Sequence, residues 1–154
     1  MKKFSFLLTI MVSLFLTGCS MPGSPLPSLG KKNVKKEYFT GGKVRSEFIM
    51  SDETGLNGVQ KTYGYDGHLT SLVKIKNGVK NGVETWFDNK KRILMRVPYA
   101  NGRKEGVQEV YYPNGDPLRR TTYKNGVLNG KAIMYNKDGS VHKTATFSAG
   151  KKIG

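Results

Sequence analysis

The sequence predicts an all-β fold: an elongated antiparallel meander of successive β-hairpins built from 24-residue repeats. Three observations predict it. Glycines recur at one period, with Gly58, Gly82, Gly106, Gly130 and Gly154 each 24 residues apart and Gly78, Gly102, Gly126 and Gly150 keeping the same spacing. Aromatic and apolar residues follow it: Tyr63, Phe87, Tyr111 and Tyr135 fill one slot, and Ile75, Tyr99, Tyr123 and Phe147 another. Asn-Gly dipeptides begin at positions 57, 77, 81, 101, 114, 125 and 129, and Asn-Gly suits tight hairpins because both residues tolerate positive φ. Interlocked ladders at one period mark an array of small supersecondary units.

Residues 1–18 read as a signal peptide rather than as part of the fold. Lys2 and Lys3 precede an apolar run from Phe4 to Leu16, shorter than the roughly 20 residues needed to span a bilayer. The run closes on Leu16-Thr17-Gly18-Cys19, which resembles a bacterial lipobox. The resemblance implies that Cys19 is lipidated and becomes the mature N-terminus, with two or three acyl chains giving a stable anchor. Cys19 is the sole cysteine, so the chain has neither a disulfide partner nor a cysteine metal cluster. Residues 19–36, rich in Pro, Ser and Gly, are expected to form a flexible basic tether. Its Lys31, Lys32, Lys35 and Lys36 are candidates for contact with anionic headgroups, each worth about 1 kcal/mol near a membrane surface.

Residues 37–57 read as a degenerate capping repeat: Tyr38 and Phe39 match the aromatic slot and Gly42 the mid-block turn, but Ser51 to Gly55 replaces the usual ending. Terminal repeats are often atypical in this way. Residues 58–154 then hold four repeats of two strands each. In the third, Val107 to Tyr112 is the first strand, Pro113-Asn114-Gly115-Asp116 a turn, and Leu118 to Tyr123 the second strand. Asn125-Gly126 to Asn129-Gly130 is the connection. Eight strands plus a worn hairpin are expected.

Counted from each block glycine, odd positions are the more apolar. They include Val59, Val83, Val107 and the Tyr63 ladder, then Leu69, Ile93, Val141, Val73, Val97 and the Ile75 ladder. Even positions carry Gln60, Glu84, Gln108, Lys74, Arg96 and Arg120, with an apolar streak of Trp86, Val110 and Met134. Alternation of this kind predicts a half-buried or curled sheet whose odd positions share a face. Two residues resist the pattern. Pro98 falls within a second strand, where it needs a bulge or an unpaired amide. Lys91 replaces the turn glycine of the other blocks, so its turn is expected to differ in shape.

The formal net charge is +15, and removing residues 1–18 leaves 24 Lys and Arg against 11 Asp and Glu, a formal +13. Such a surface suits anionic lipid, nucleic acid or an acidic protein, but export and the lack of a nucleic-acid-binding motif argue against nucleic acid. Enzymatic chemistry finds no support. His68 and His142 occupy different block positions with no nucleophile or orienting carboxylate assigned by spacing. Two histidines and one blocked cysteine make no metal set. Asp66, Asp88, Asp116 and Asp138 read as turn residues, and the glycines open no helix that could cradle phosphate. No cofactor is expected. Trp86 and Tyr112 lie off the main aromatic ladder and are candidate partner-binding residues. Arg96 and Arg120, in register on successive repeats, are candidates for gripping carboxylate or phosphate.

Tyr99-x-Asn101-Gly102-x-x-x-Gly106, followed by Tyr111-Tyr112-x-x-Gly115, resembles the bacterial variant of the MORN repeat. So does Tyr123-x-Asn125-Gly126-x-x-x-Gly130 with Tyr135 and Gly139, while Ile75 to Gly82 and Phe147 to Gly154 match with substitutions. The resemblance implies elongated sheets of hairpins and a binding role. Many bacterial members are labelled YwqK-type antitoxins, and the repeat motif contains no catalytic residue. The expected function is a membrane-tethered, non-enzymatic interaction module, antitoxin-like or immunity-like, that binds an envelope protein. The alternative is a structural envelope lipoprotein that bridges the membrane to cell wall glycan or self-associates through an open strand edge after the last repeat. The expected location is the cell envelope: the outer membrane in a Gram-negative host, the cell membrane in a Gram-positive one.

Overall fold

The structure, a computed structural model, describes residues 33–154. The expected signal peptide, Cys19, Lys31 and Lys32 lie outside the described residues. Among those described, 13 strands form one antiparallel sheet whose order follows the chain. The worn hairpin is β1 (Val34–Tyr38) and β2 (Val44–Met50). The first strands of the four repeats are β3 (Gly58–Tyr63), β6 (Gly82–Phe87), β9 (Gly106–Tyr111) and β11 (Val127–Tyr135). The second strands are β4 (Leu69–Lys76), β7 (Ile93–Ala100), β10 (Pro117–Lys124) and β12 (Val141–Ser148). Three two-residue strands, β5 (Val79–Lys80), β8 (Arg103–Lys104) and β13 (Lys151–Lys152), pair with β4, β7 and β12. The hairpin meander is therefore present. Lys35 and Lys36, however, lie in β1 rather than in a tether, because β1 pairs β2 from Val34 onward.

The short strands correct the expected connection. Asn77 and Gly78 have φ of 52° and 77°, and Asn101-Gly102 and Asn125-Gly126 repeat the pair. Two successive positive φ values close a hairpin in two residues, so the chain re-enters the sheet at Val79, Arg103 and Val127 without a long linker. Each such turn also hydrogen-bonds to the preceding repeat: Gly102 N donates to the Lys80 carbonyl at 2.9 Å, Gly126 N to Lys104 and Gly150 N to Leu128, both at 2.8 Å. These bonds tie repeat to repeat and give the glycine ladder its period.

The other end of each hairpin is a three-residue loop closed by a positive-φ residue, at Gly67, Lys91, Gly115 and Gly139. The turn at Lys91 does not differ in shape. Asp88 N donates to the Arg92 carbonyl and Lys91 N to Asp88, both at 3.0 Å, as Tyr112, Asp116 and Gly115 do in the next repeat. Lys91 adopts φ 62° to keep that turn, a conformation that costs a side-chain-bearing residue about 1–2 kcal/mol. Lys91→Gly is expected to raise unfolding free energy by about 1 kcal/mol, read as a higher urea midpoint at unchanged slope.

The largest correction concerns the faces. The returning strand of every hairpin carries one extra residue. Thr62 pairs Ser71 but Tyr63 pairs Leu69, which leaves Thr70 unpaired, and Leu94, Leu118 and His142 are its counterparts. A one-residue slip sends every later side chain to the other face. Even positions of the first strand therefore share a face with Val73, Val97 and the Ile75 ladder: Glu84 opposes Val97, and Gln108 opposes Thr121. On this shielded face lie all the buried side chains among the described residues, Val73, Ile75, Val97, Ser46, Ser71, Glu84, Gln108 and Thr121. The opposite, open face carries Val59, Val83, Val107 and the Tyr63 ladder, with Val83 52% and Val107 46% exposed. Pro98 is accommodated opposite the bend at Gly106, where its carbonyl accepts the Glu105 N–H at 3.0 Å.

Candidate functional site

The four candidate contact residues do not share a surface. Trp86 is half-buried on the shielded face, paired with Ser71 on one side and Met95 on the other. Tyr112 opens the hairpin loop of the third repeat, and its hydroxyl donates to the Tyr135 carbonyl at 2.9 Å. That bond spans two repeats, so Tyr112 is a clamp between them. Arg96 and Arg120 lie on the open face, each exposed.

Arg96 and Arg120 are in register, as expected, but Glu109 stands between them. Arg96 pairs Glu109 across one strand boundary and Arg120 pairs it across the next. Arg120 Nε donates to Glu109 Oε1 at 3.0 Å, and the Tyr111 hydroxyl donates to Glu109 Oε2 at 2.6 Å. The Tyr111 hydrogen bond, then Arg120, holds the Glu109 carboxyl below its ordinary range. Each guanidinium also lies over the next aromatic: Arg96 is 5.9 Å from the Tyr111 ring centre and Arg120 5.8 Å from Tyr135. Arg120 is thus committed to an internal carboxylate. Arg96 lines a hollow of about 500 Å³ with Arg92, Ile93, Tyr111, Pro113, Asn114 and Gly115.

A second hollow of the same form lies two repeats earlier, beside the worn hairpin, lined by Lys43, Val44, Glu47, Tyr63, Asp66 and Gly67 among others. Here Glu47 occupies the slot of Arg96, so the hollow holds two carboxylates and one lysine where the later one holds two arginines. Lys36 Nζ binds Glu47 Oε1 at 3.0 Å, so this candidate membrane-surface lysine is paired with a carboxylate. Tyr63 donates to Glu47 Oε2 at 2.6 Å. Burial first, and then the Glu47 carboxylate, push the Tyr63 phenol up to about 12. Because that pKa is raised, the stabilisation is complete below the unfolded value of about 10 and is lost as pH rises through about 12. Burial also pushes the Tyr99 and Tyr111 phenols up, so alkaline titration at 295 nm is expected to show a late-titrating group from which Tyr63→Phe removes one phenol and in which Glu47→Gln moves one to lower pH. A full phenol count at ordinary pH would contradict it.

Cation–aromatic pairs recur on the shielded face, where Lys80 lies 5.0 Å from the Tyr99 ring centre and Lys104 4.7 Å from Tyr123. Sequence reasoning missed them, although Lys80 and Lys104 are also 24 residues apart. It also missed a carboxylate beside His68. Asp66 accepts from the His68 ring and from its backbone N–H, the latter at 3.3 Å. The contact belongs to the turn, and no hydroxyl or thiol joins it among the described hydrogen bonds. His142 is the exposed bulge residue of β12. Among the described residues, no three His, Cys, Asp or Glu side chains are grouped to hold a metal ion.

Charge is graded along the array. Residues 33–66 hold five Lys and Arg and five Asp and Glu, whereas residues 117–154 hold eight cations against Asp138 alone. Fold and surface together define a tandem hairpin array with charge-patterned faces. Residues 104–125 match the family described as MORN repeat variant. That match runs from Lys104 through the β9–β10 hairpin to Asn125, 22 residues of one 24-residue period. Comparison with curated proteins gave no match.

Proposed function

We propose that the chain is a membrane-tethered interaction module that binds a protein partner of the cell envelope through its repeat sheet, in an antitoxin-like or immunity-like role. The observation that carries the reading is the exposure of a single-layer sheet. Among the described residues only Val73, Ile75 and Val97 are buried hydrophobics, and both faces present ordered rows of side chains. Rows spaced by a fixed repeat suit recognition of an extended protein surface. The MORN repeat variant matched at residues 104–125 is compatible with such a role. The tether rests on Lys2, Lys3, the apolar run and the lipobox-like ending at Cys19.

The test is capture of partners from the parent cell's envelope extract at low and high salt. A charge-reversed Arg96/Arg120 protein serves as control. One protein retained at high salt supports the reading, and its loss with the control would place the contact on the open face. Recovery of glycan or of the chain itself alone rejects it in favour of a structural envelope role.

A further inference from the structure

The fourth repeat departs from the others at one place on the shielded face. In the first three repeats, the central cross-strand row runs Gln60–Val73, Glu84–Val97 and Gln108–Thr121. In the fourth it is Ala132–Ala145. Two small side chains in that row leave a hollow of about 130 Å³ whose lining includes Met134 and Phe147. The adjoining row places Arg119 and Lys143 on either side of Met134, each paired with it in register. Both cations are exposed, and neither takes part in any of the ion pairs among the described residues. Met134 itself is 38% exposed. The result is an apolar floor with a cationic rim, in the part of the array where Asp138 is the only acid.

We propose that this hollow is the docking site for an acidic segment of a partner protein, one apolar side chain entering between Arg119 and Lys143 with flanking carboxylates on the two cations. The proposal rests on the interaction reading above and locates its site. A cavity of about 150 Å³ admits a benzene-sized group, so the space suits one leucine, methionine or phenylalanine side chain. Charge complementarity selects the partner: unneutralised Arg and Lys at the rim call for carboxylates. It also excludes the chain's own residues 1–32 as occupant, because they hold four lysines and no acid.

The test is methyl-detected NMR on the full chain in detergent micelles, titrated with the peptide Glu-Asp-Leu-Phe-Asp-Glu. Controls are Glu-Asp-Gly-Ser-Asp-Glu and Lys-Lys-Leu-Phe-Lys-Lys. Shifts at the Met134, Ala132 and Ala145 methyls are expected with the first peptide alone. They should weaken at least tenfold in the Arg119→Glu, Lys143→Glu double variant, whose exposed sites leave folding intact. Ala145→Leu, which fills the hollow, should abolish the dependence on the apolar pair. Equal binding of the peptide lacking leucine and phenylalanine overturns the proposal. So do shifts confined to the Ile93 methyls, in the hollow of Arg92 and Arg96, although they leave the interaction reading standing. Concentration-dependent shifts without peptide, at the Thr54 and Leu56 methyls beside Asp52 and Glu53 and at the hollow together, assign the site to a second copy and overturn the partner-protein assignment.

Discussion

Lys80→Ala is expected to destabilise the protein by about 2–3 kcal/mol, because it strands a buried carboxylate. Glu84 is 3% exposed on the shielded face, opposite Val97. Its hydrogen bond and its ion pair among the described residues are both with Lys80, at 2.7 Å. Lys80 is itself partly exposed, and the Tyr99 phenol, pushed up by burial and then by Glu84, also faces that carboxylate, which places the effect below the 3–5 kcal/mol typical of breaking a fully buried pair. Adding Glu84→Gln to the same protein should recover most of the loss. The neighbouring repeats show why: Gln60 and Gln108 occupy the equivalent slot, and Lys104 Nζ reaches Gln108 Oε1 at 3.1 Å. An amide fills the space and carries no charge to desolvate. The Lys80 stem also covers the Tyr99 ring, so Lys80→Met separates lost packing from lost charge. Urea unfolding reads all three proteins. A Lys80→Ala midpoint equal to wild type, or no recovery on adding Glu84→Gln, would refute the account.

The repeat, the hairpin turns and the strand order were legible in the sequence because each depends on local chemistry at a fixed period. Asn and Gly at the tight turns are required by positive φ, and the structure puts positive φ there. The faces were not legible, for a specific reason. Parity counting assumes that both strands of a hairpin have equal length, and the residue left unpaired at Thr70, Leu94, Leu118 and His142 breaks that assumption. Leu94 and Leu118 look like ordinary strand residues, so no residue type announces the bulge. The pairing of Arg96 with Arg120 was correctly placed in register, but the intervening Glu109 became visible only once β9 was seen to lie between β7 and β10. The Lys91 turn was misjudged because the backbone pattern of four stacked hairpins outweighs one residue's preference. The sheet imposes the turn, and Lys91 carries the strain.

Gly58→Ala is expected to be the most damaging single methyl in the array, costing about 3 kcal/mol or more through overpacking. A Cβ there would stand 2.3 Å from the Ile49 carbonyl oxygen, 2.9 Å from Phe48 Cε2 and 3.0 Å from the Ile49 carbonyl carbon. Two of those atoms are backbone of β2, which pairs directly with β3, so relief requires the strands to separate. Gly58 thus differs from its counterparts on the same ladder. Gly82, Gly106 and Gly130 have φ of 112°, 105° and 114°, whereas Gly58 has no positive φ. At Gly82 an added Cβ would meet its nearest neighbour at 3.7 Å, so Gly82→Ala should cost only the backbone strain, about 1–2 kcal/mol. One periodic glycine slot is therefore required by close approach at the first repeat and by conformation at the next. Urea unfolding of the two variants distinguishes the causes. Loss of β1–β2 amide protection in Gly58→Ala, with β6–β7 protection retained, would locate the damage at the β2–β3 seam. Equal midpoints for Gly58→Ala and Gly82→Ala would refute the distinction.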